Sequence, residues 1–153
     1  MKAVTTLLVV GMFLTTVAMA DDVDDVKAAV QRYFVAINSG DTEGVFQFRI
    51  AERSSFGRGG QLLGLPPASL EEQKRSHQNQ VNAGRKRNYQ LRHMEVTVYG
   101  GDTAIVTGYL TGPGTFPDGT VVPHNDRRTA VLIKQGGQWK EVHTHQSPLR
   151  GPQ

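Results

Sequence analysis

The segment from Arg127 to Leu149, RRTAVLIKQGGQWKEVHTHQSPL, constrains this chain more than any other. Gln135-Gly136-Gly137-Gln138 makes a turn, and the residues on either side read as two long strands folded back on each other. Extended backbone puts Arg127, Thr129, Val131 and Ile133 on one face of the first strand and Arg128, Ala130 and Leu132 on the other. On the second strand His143 and His145 are two apart and share a face, so that face is the first place to look for chemistry.

The preceding residues supply further strands. Tyr89 to Tyr99 is rich in strand formers, Gly100-Gly101-Asp102 turns, and Thr103 to Leu110 forms the next strand. Gly112 to Gly119 is a proline- and glycine-rich tip, which suggests a hairpin whose arms continue outward from the sheet.

The first half of the chain has a helical period instead. Val23, Val26, Val30, Phe34 and Ile37 recur at spacings of three and four, with Tyr33 beside the stripe, and Asn38-Ser39-Gly40 ends the helix. Asp41 can cap a second, shorter helix through Phe48. Arg49 to Pro67 loses the period and reads as a loop with one short strand. Ser69-Leu70-Glu71-Glu72 is a capping box that starts a third helix, which runs to about Gly84. That helix has few large aliphatic residues, so it is expected to lie across a surface or close an opening, with His77 facing solvent. Arg85-Lys86-Arg87 follows, either as a solvated guard on an edge strand or as a contact for an anion.

Helices first, then four consecutive strands with short turns, predict an α+β domain: three N-terminal helices packed on a curved, mainly antiparallel sheet of four to six strands. A cavity between the first helix and the concave face is the natural ligand site.

Residues 1–20 carry the layout of a secretory signal peptide: Met1-Lys2, an apolar or neutral run from Ala3 to Val17, then Ala18-Met19-Ala20 before Asp21. The alternative is an uncleaved membrane anchor. The expected mature domain is 21–153, exported to the periplasm or secreted, with no membrane attachment after cleavage. The chain has no cysteine, so a diacylated lipoprotein, disulfides and thiol chemistry are all excluded. Removing Lys2 turns 17 basic and 14 acidic residues into 16 and 14, a bias too small to indicate nucleic acid.

Both ends of the mature chain resemble one family. YFVAINSGDTEGVFQF is similar to the first two helices of the nuclear transport factor 2-like superfamily, which includes ketosteroid isomerases, SnoaL-like polyketide cyclases and kinase association domains. RRTAVLIKQGGQWKEVHTHQSPL is similar to its last two strands, with an Arg-x-Thr start, a Gly-x-Trp turn and a Val-His-x-His-x-Ser ending. The resemblance implies a cone-shaped domain, a homodimer, and a function decided by the site and not by the fold. It places Tyr33 where the isomerases carry an oxyanion-donating tyrosine, and Gly57 where they carry the aspartate base. Glu52 is the only carboxylate in that segment, so carboxylate-based isomerisation is disfavoured.

His143 and His145 admit three readings: metal ligands completed by His93, His124 or a carboxylate, acid–base groups of a pocket, or polar positions of a strand. No metal or cofactor is expected. Arg127 or Arg128 either looks toward the cavity, where a guanidinium would hold a carboxylate, or makes a surface salt bridge across strands. His124 is expected to face solvent. The leading expectation is a domain that binds a mostly apolar small molecule carrying a carboxylate or carbonyl group. Tyr33, Phe34, Tyr109, Arg127 and His143 would line the site. Two alternatives stand beside it: a SnoaL-like cyclase, isomerase or dehydratase using His143, His145 and Tyr33, and an oligomeric assembly module.

Overall fold

A computed structural model describes residues 14–63 and 68–149. Residues 1–13 of the expected leader, residues 64–67 of the apolar loop and residues 150–153 lie outside the described residues.

α1 (Leu14–Ser39) buries Val26, Ala29, Val30, Tyr33, Phe34 and Ile37 along one stripe, at the spacing the sequence predicts. Each large apolar side chain withdrawn from water there contributes about 1.5–3 kcal/mol. Gly40, at φ +76°, ends the helix, and the Asp41 amide donates back to the Ala36 carbonyl at 2.9 Å. Asp41 then caps α2 (Thr42–Gln47) by accepting from the Gly44 amide at 3.0 Å. α3 (Leu70–Asn82) opens with the expected capping box: the Glu72 amide donates to Ser69 Oγ at 3.3 Å, and the Ser69 amide donates to the Glu72 carboxylate at 2.9 Å.

Seven strands form one sheet among the described residues: β1 (Arg49–Phe56), β2 (Leu62–Leu63), β3 (Lys86–Arg87), β4 (Gln90–Tyr99), β5 (Thr103–Thr115), β6 (Val121–Gln135) and β7 (Gln138–Pro148). Their order is β2-β1-β7-β6-β5-β3, with β4 also paired to β5. Every pairing is antiparallel except β1 with β7, which is parallel. The four consecutive strands expected from the sequence are β4 to β7.

The stretch after Arg49, expected as a loop with one short strand, opens with a full strand of eight residues, β1. Its cavity-lining positions include Arg49, Arg53 and Ser55. Polar residues at inward positions leave no apolar alternation from which to read a strand.

A bulge decides which face of β7 meets the helices. Leu132 pairs with Glu141 and the adjacent Val131 pairs with His143, so Val142 is one residue more than β6 supplies. Trp139 and Glu141 are buried before the bulge, and Thr144 is buried after it. An unbroken strand would have carried His143 and His145 to the inside with Glu141. β6 has no extra residue and keeps its alternation, so Asp126, Arg128, Ala130 and Leu132 are buried on the inner face while Arg127 is exposed.

Candidate functional site

The inner face of the sheet, α1, β1 and α3 enclose a cavity of about 520 Å³. α3 lies across it through Gln73, Ser76, His77 and Gln80, the covering role that its thin apolar face suggests. Gln73 fastens it by donating to the Ala51 carbonyl of β1 at 2.8 Å.

The cavity's most unusual property is its charge. Arg49, Arg53, Arg87 and Arg128 all line it, and among the described residues the only lining carboxylate is Glu72 at the exposed start of α3. Behind the wall, fully buried Glu141 accepts from Arg53 Nε and from an Arg128 terminal nitrogen. Burial alone would raise the Glu141 carboxyl, but the guanidiniums of Arg128, Arg53 and Arg49 together outweigh it and hold the group below the usual carboxylate range. Burial pulls the Arg53 guanidinium down, only partly countered by Glu141.

Among the described residues Arg49 has no carboxylate partner. It donates one terminal nitrogen to the Tyr33 hydroxyl, and its guanidinium lies 5.1 Å from the Tyr33 ring centre and 5.6 Å from that of Phe46. Its Nε is buried without a hydrogen-bond partner. Tyr33 in turn is wedged between Phe34 and Phe48, at ring separations of 5.2 and 4.9 Å. The site therefore combines an aromatic wall with guanidiniums aimed at the same space.

Two histidines missed as site residues also face this cavity. His77 is buried on the inner side of α3, not solvent-facing. Thr42 gives its single hydroxyl proton to Gln78 at 2.7 Å, so it accepts from His77 Nδ1 at 2.9 Å, and His77 Nε2 is left as a buried lone pair without a partner. Burial, then the charges of Arg87 and Arg49, push the imidazole down to about 4. His124 is likewise part of the cavity wall and not a solvent residue. Its Nδ1 lies 2.8 Å from Asp126. The sequence signal for it was the even-numbered face of β6, which carries His124, Asp126 and Arg128 together.

The residues singled out from sequence separate into two groups. Tyr33 and Phe34 line the cavity. Arg127, exposed, and Tyr109, 41 % exposed and paired with it across β5 and β6, lie on the outer face. His143 and His145 also face outward; His143 Nδ1 meets Ser54 Oγ at 2.9 Å and both rings stand edge-on to Phe56. The expected convergence of Tyr33, Arg127 and His143 on one cavity does not occur: the unbroken alternation of β6 puts Arg127 on the outer face, and the Val142 bulge turns His143 to that same face. Arg128 occupies the inward place considered for Arg127. Gly57 lies at the cavity edge, and Glu52 is exposed.

Comparison with known proteins agrees with this architecture. The SnoaL-like domain family matches residues 26–151. No match to a curated protein is found. Among solved structures, a candidate dehydratase of the nuclear transport factor 2-like family from Streptomyces avermitilis is 23 % identical with a TM-score of 0.66, covering 87 % of this chain and 99 % of its own. A ketosteroid isomerase-like protein from Erwinia carotovora atroseptica is 19 % identical with a TM-score of 0.65, covering 86 % and 98 %. The association domain of calcium/calmodulin-dependent kinase II from C. elegans is 19 % identical with a TM-score of 0.62, covering 85 % and 98 %. At these identities the structures share the fold alone. The match over residues 26–151 together with this fold places the chain in the SnoaL-like domain family of the nuclear transport factor 2-like superfamily.

Proposed function

We propose that this domain binds a small organic anion, with the carboxylate or an equivalent acidic group held by Arg49 and its neighbours and the apolar body against Tyr33, Phe34 and Phe46. The observation that carries this is the charge imbalance: four guanidiniums line one cavity, and among the described residues Arg49 has no carboxylate and an unpartnered buried Nε. Leaving a guanidinium donor buried and unpaired costs free energy that an anionic ligand recovers. The unprotonated Nε2 of His77 adds one acceptor for a ligand hydroxyl or N–H among these donors.

A thermal-shift and calorimetry panel tests the reading. 3-Phenylpropanoate and phenylpyruvate are expected to raise the melting temperature, and the matching neutral alcohol and amide to leave it unchanged. Arg49→Met is expected to weaken the carboxylate Kd about 10- to 100-fold, from a charged hydrogen bond of about 1.5–3 kcal/mol. Equal binding of acid and alcohol, or an unchanged Kd in Arg49→Met, refutes it.

Two further proposals concern the whole molecule. Export with cleavage after Ala20 rests on the leader layout and predicts a secreted species whose N-terminal residue is Asp21. Dimerisation through the outer face of the sheet rests on the exposed Tyr99, Ile105 and Tyr109 there. Sedimentation should give a dimer that Tyr109→Glu dissociates, and a monomeric parent would overturn the idea.

A further inference from the structure

At the cavity wall formed by β6 and the residues joining β3 to β4, three side chains make a connected polar chain that anion binding does not use. His124 and Asp126, two apart on β6, point to the same side. Asp126 is fully buried: one oxygen accepts from Gln146 Nε2 at 2.9 Å and meets His124 Nδ1 at 2.8 Å, and the other has no hydrogen bond but lies 2.9 Å from Arg58 Nε as an ion pair. A carboxylate can only accept, so His124 Nδ1 is the donor to Asp126, and in the neutral imidazole the lone pair is on Nε2. That nitrogen faces the Tyr89 hydroxyl at 3.2 Å.

Tyr89 is held in place from two sides. Asn38 of α1 clamps its backbone, donating to the Tyr89 carbonyl and accepting from the Tyr89 amide, both at 2.8 Å. Gly114 lies beneath the phenol, where a Cβ would stand 2.5 Å from the hydroxyl oxygen. Both Tyr89 and His124 line the same cavity as the arginines.

We propose that His124 is a catalytic general base, oriented by Asp126 and paired with Tyr89 as the acid. It would act on 2-oxo acids with an aryl or alkyl body and an acidic C–H beside the carbonyl. The assignment rests on the anion-binding reading, since the guanidiniums would hold the substrate carboxylate. The long Tyr89–His124 hydrogen bond is easily exchanged. On binding, the Tyr89 O–H turns to the substrate carbonyl oxygen and frees Nε2. Nε2 removes the proton from the adjacent carbon. The C–H electron pair becomes the new C=C bond, and the carbonyl π pair moves to the oxygen, where the Tyr89 proton stabilises it. The imidazolium that forms is held against the Asp126 carboxylate, and return of a proton to carbon completes a cycle needing no oxidant or reductant. His124 and Tyr89 touch the reacting atoms, while Asp126 is a positioning residue.

The test uses the full mature chain with phenylpyruvate in D₂O, following loss of the C3 proton signal by NMR while calorimetry records phenylpyruvate binding. Exchange is expected well above the protein-free rate. His124→Gly should lower it about 100-fold or more, and added imidazole should restore part of it, which a structural role would not allow. Asp126→Asn should slow exchange and move the His124 nitrogen shifts away from the Nδ1–H tautomer. Bound phenylpyruvate exchanging no faster than in solvent, or equally fast in His124→Gly, overturns the proposal and leaves anion binding standing. No binding at all overturns both.

Discussion

The perturbation that most directly examines the cavity's electrostatics is Glu141→Gln. The amide has nearly the shape of the carboxylate and removes only its charge, leaving Arg53 and Arg128 facing each other without a counter-ion. Arg128 is 8 % exposed and Glu141 fully buried, so water cannot take the carboxylate's place. Removing one partner of a buried ion pair costs about 3–5 kcal/mol. The amide oxygen still accepts one of the two hydrogen bonds, so the lower end, about 3 kcal/mol, applies here. Against a total of about 5–15 kcal/mol for a domain of this kind, that is a large fraction. It corresponds to a fall in melting temperature of roughly 10 °C. Urea unfolding of the parent and the variant at neutral pH measures it. Sulfate should stabilise the variant more than the parent, because an anion in the cavity lined by Arg53 and Arg128 can supply the missing charge, and Arg128→Met in the same chain should recover at least half of the loss. A cost under about 1 kcal/mol, or no coupling with Arg128, would refute Glu141 as the counter-ion that permits the arginine cluster.

Two other predictions follow from single residues. The His77 imidazole is lowered to about 4 in the fold, below the ordinary value near 6.5, so the unfolded chain takes up its proton first as pH falls. Its stability contribution is complete above about 6.5 and is lost as pH drops toward 4. Discounted for solvent screening, the parent should lose about 1–2 kcal/mol between pH 7 and 5. His77→Gln should flatten that slope in urea titrations, and an unchanged slope would assign it to another group. Gly112 has φ +109°, and a Cβ on it would stand 1.9 Å from the Asn88 carbonyl oxygen, whereas Gly119 at φ +84° has nothing within 4 Å. Gly112→Ala should therefore cost about 3 kcal/mol or more and Gly119→Ala about 1 kcal/mol; equal shifts in urea midpoint would contradict the clash.

Much of the fold was legible because it depends on neighbours in the chain. The apolar stripe of α1, its stop at Gly40, the Ser69–Glu72 box and the Gly136-Gly137 turn all stand as the local pattern predicts. The extent of β1 was not legible beyond one short strand, since Arg49, Arg53 and Ser55 occupy positions where an apolar period would have announced a longer one. His77 was misplaced for a related reason: a polar residue on a polar helix reads as solvent-facing until another element covers it.

The sequence by itself determined the element order, the caps and turns, and the membership of both chain ends in one structural family, because these rest on periodicity and turn chemistry within a few residues. Tertiary structure alone decided which side chains share the cavity. The Val142 bulge exists only in the pairing of β6 with β7, and one unpaired residue there sends His143 and His145 outward while Glu141 stays in. Arg49 and Arg53 from β1, Arg87 from β3 and Arg128 from β6 come together through sheet order, which no local pattern encodes. Sheet alternation has a period of two, so a single long-range irregularity reverses a face, and the face decides the chemistry.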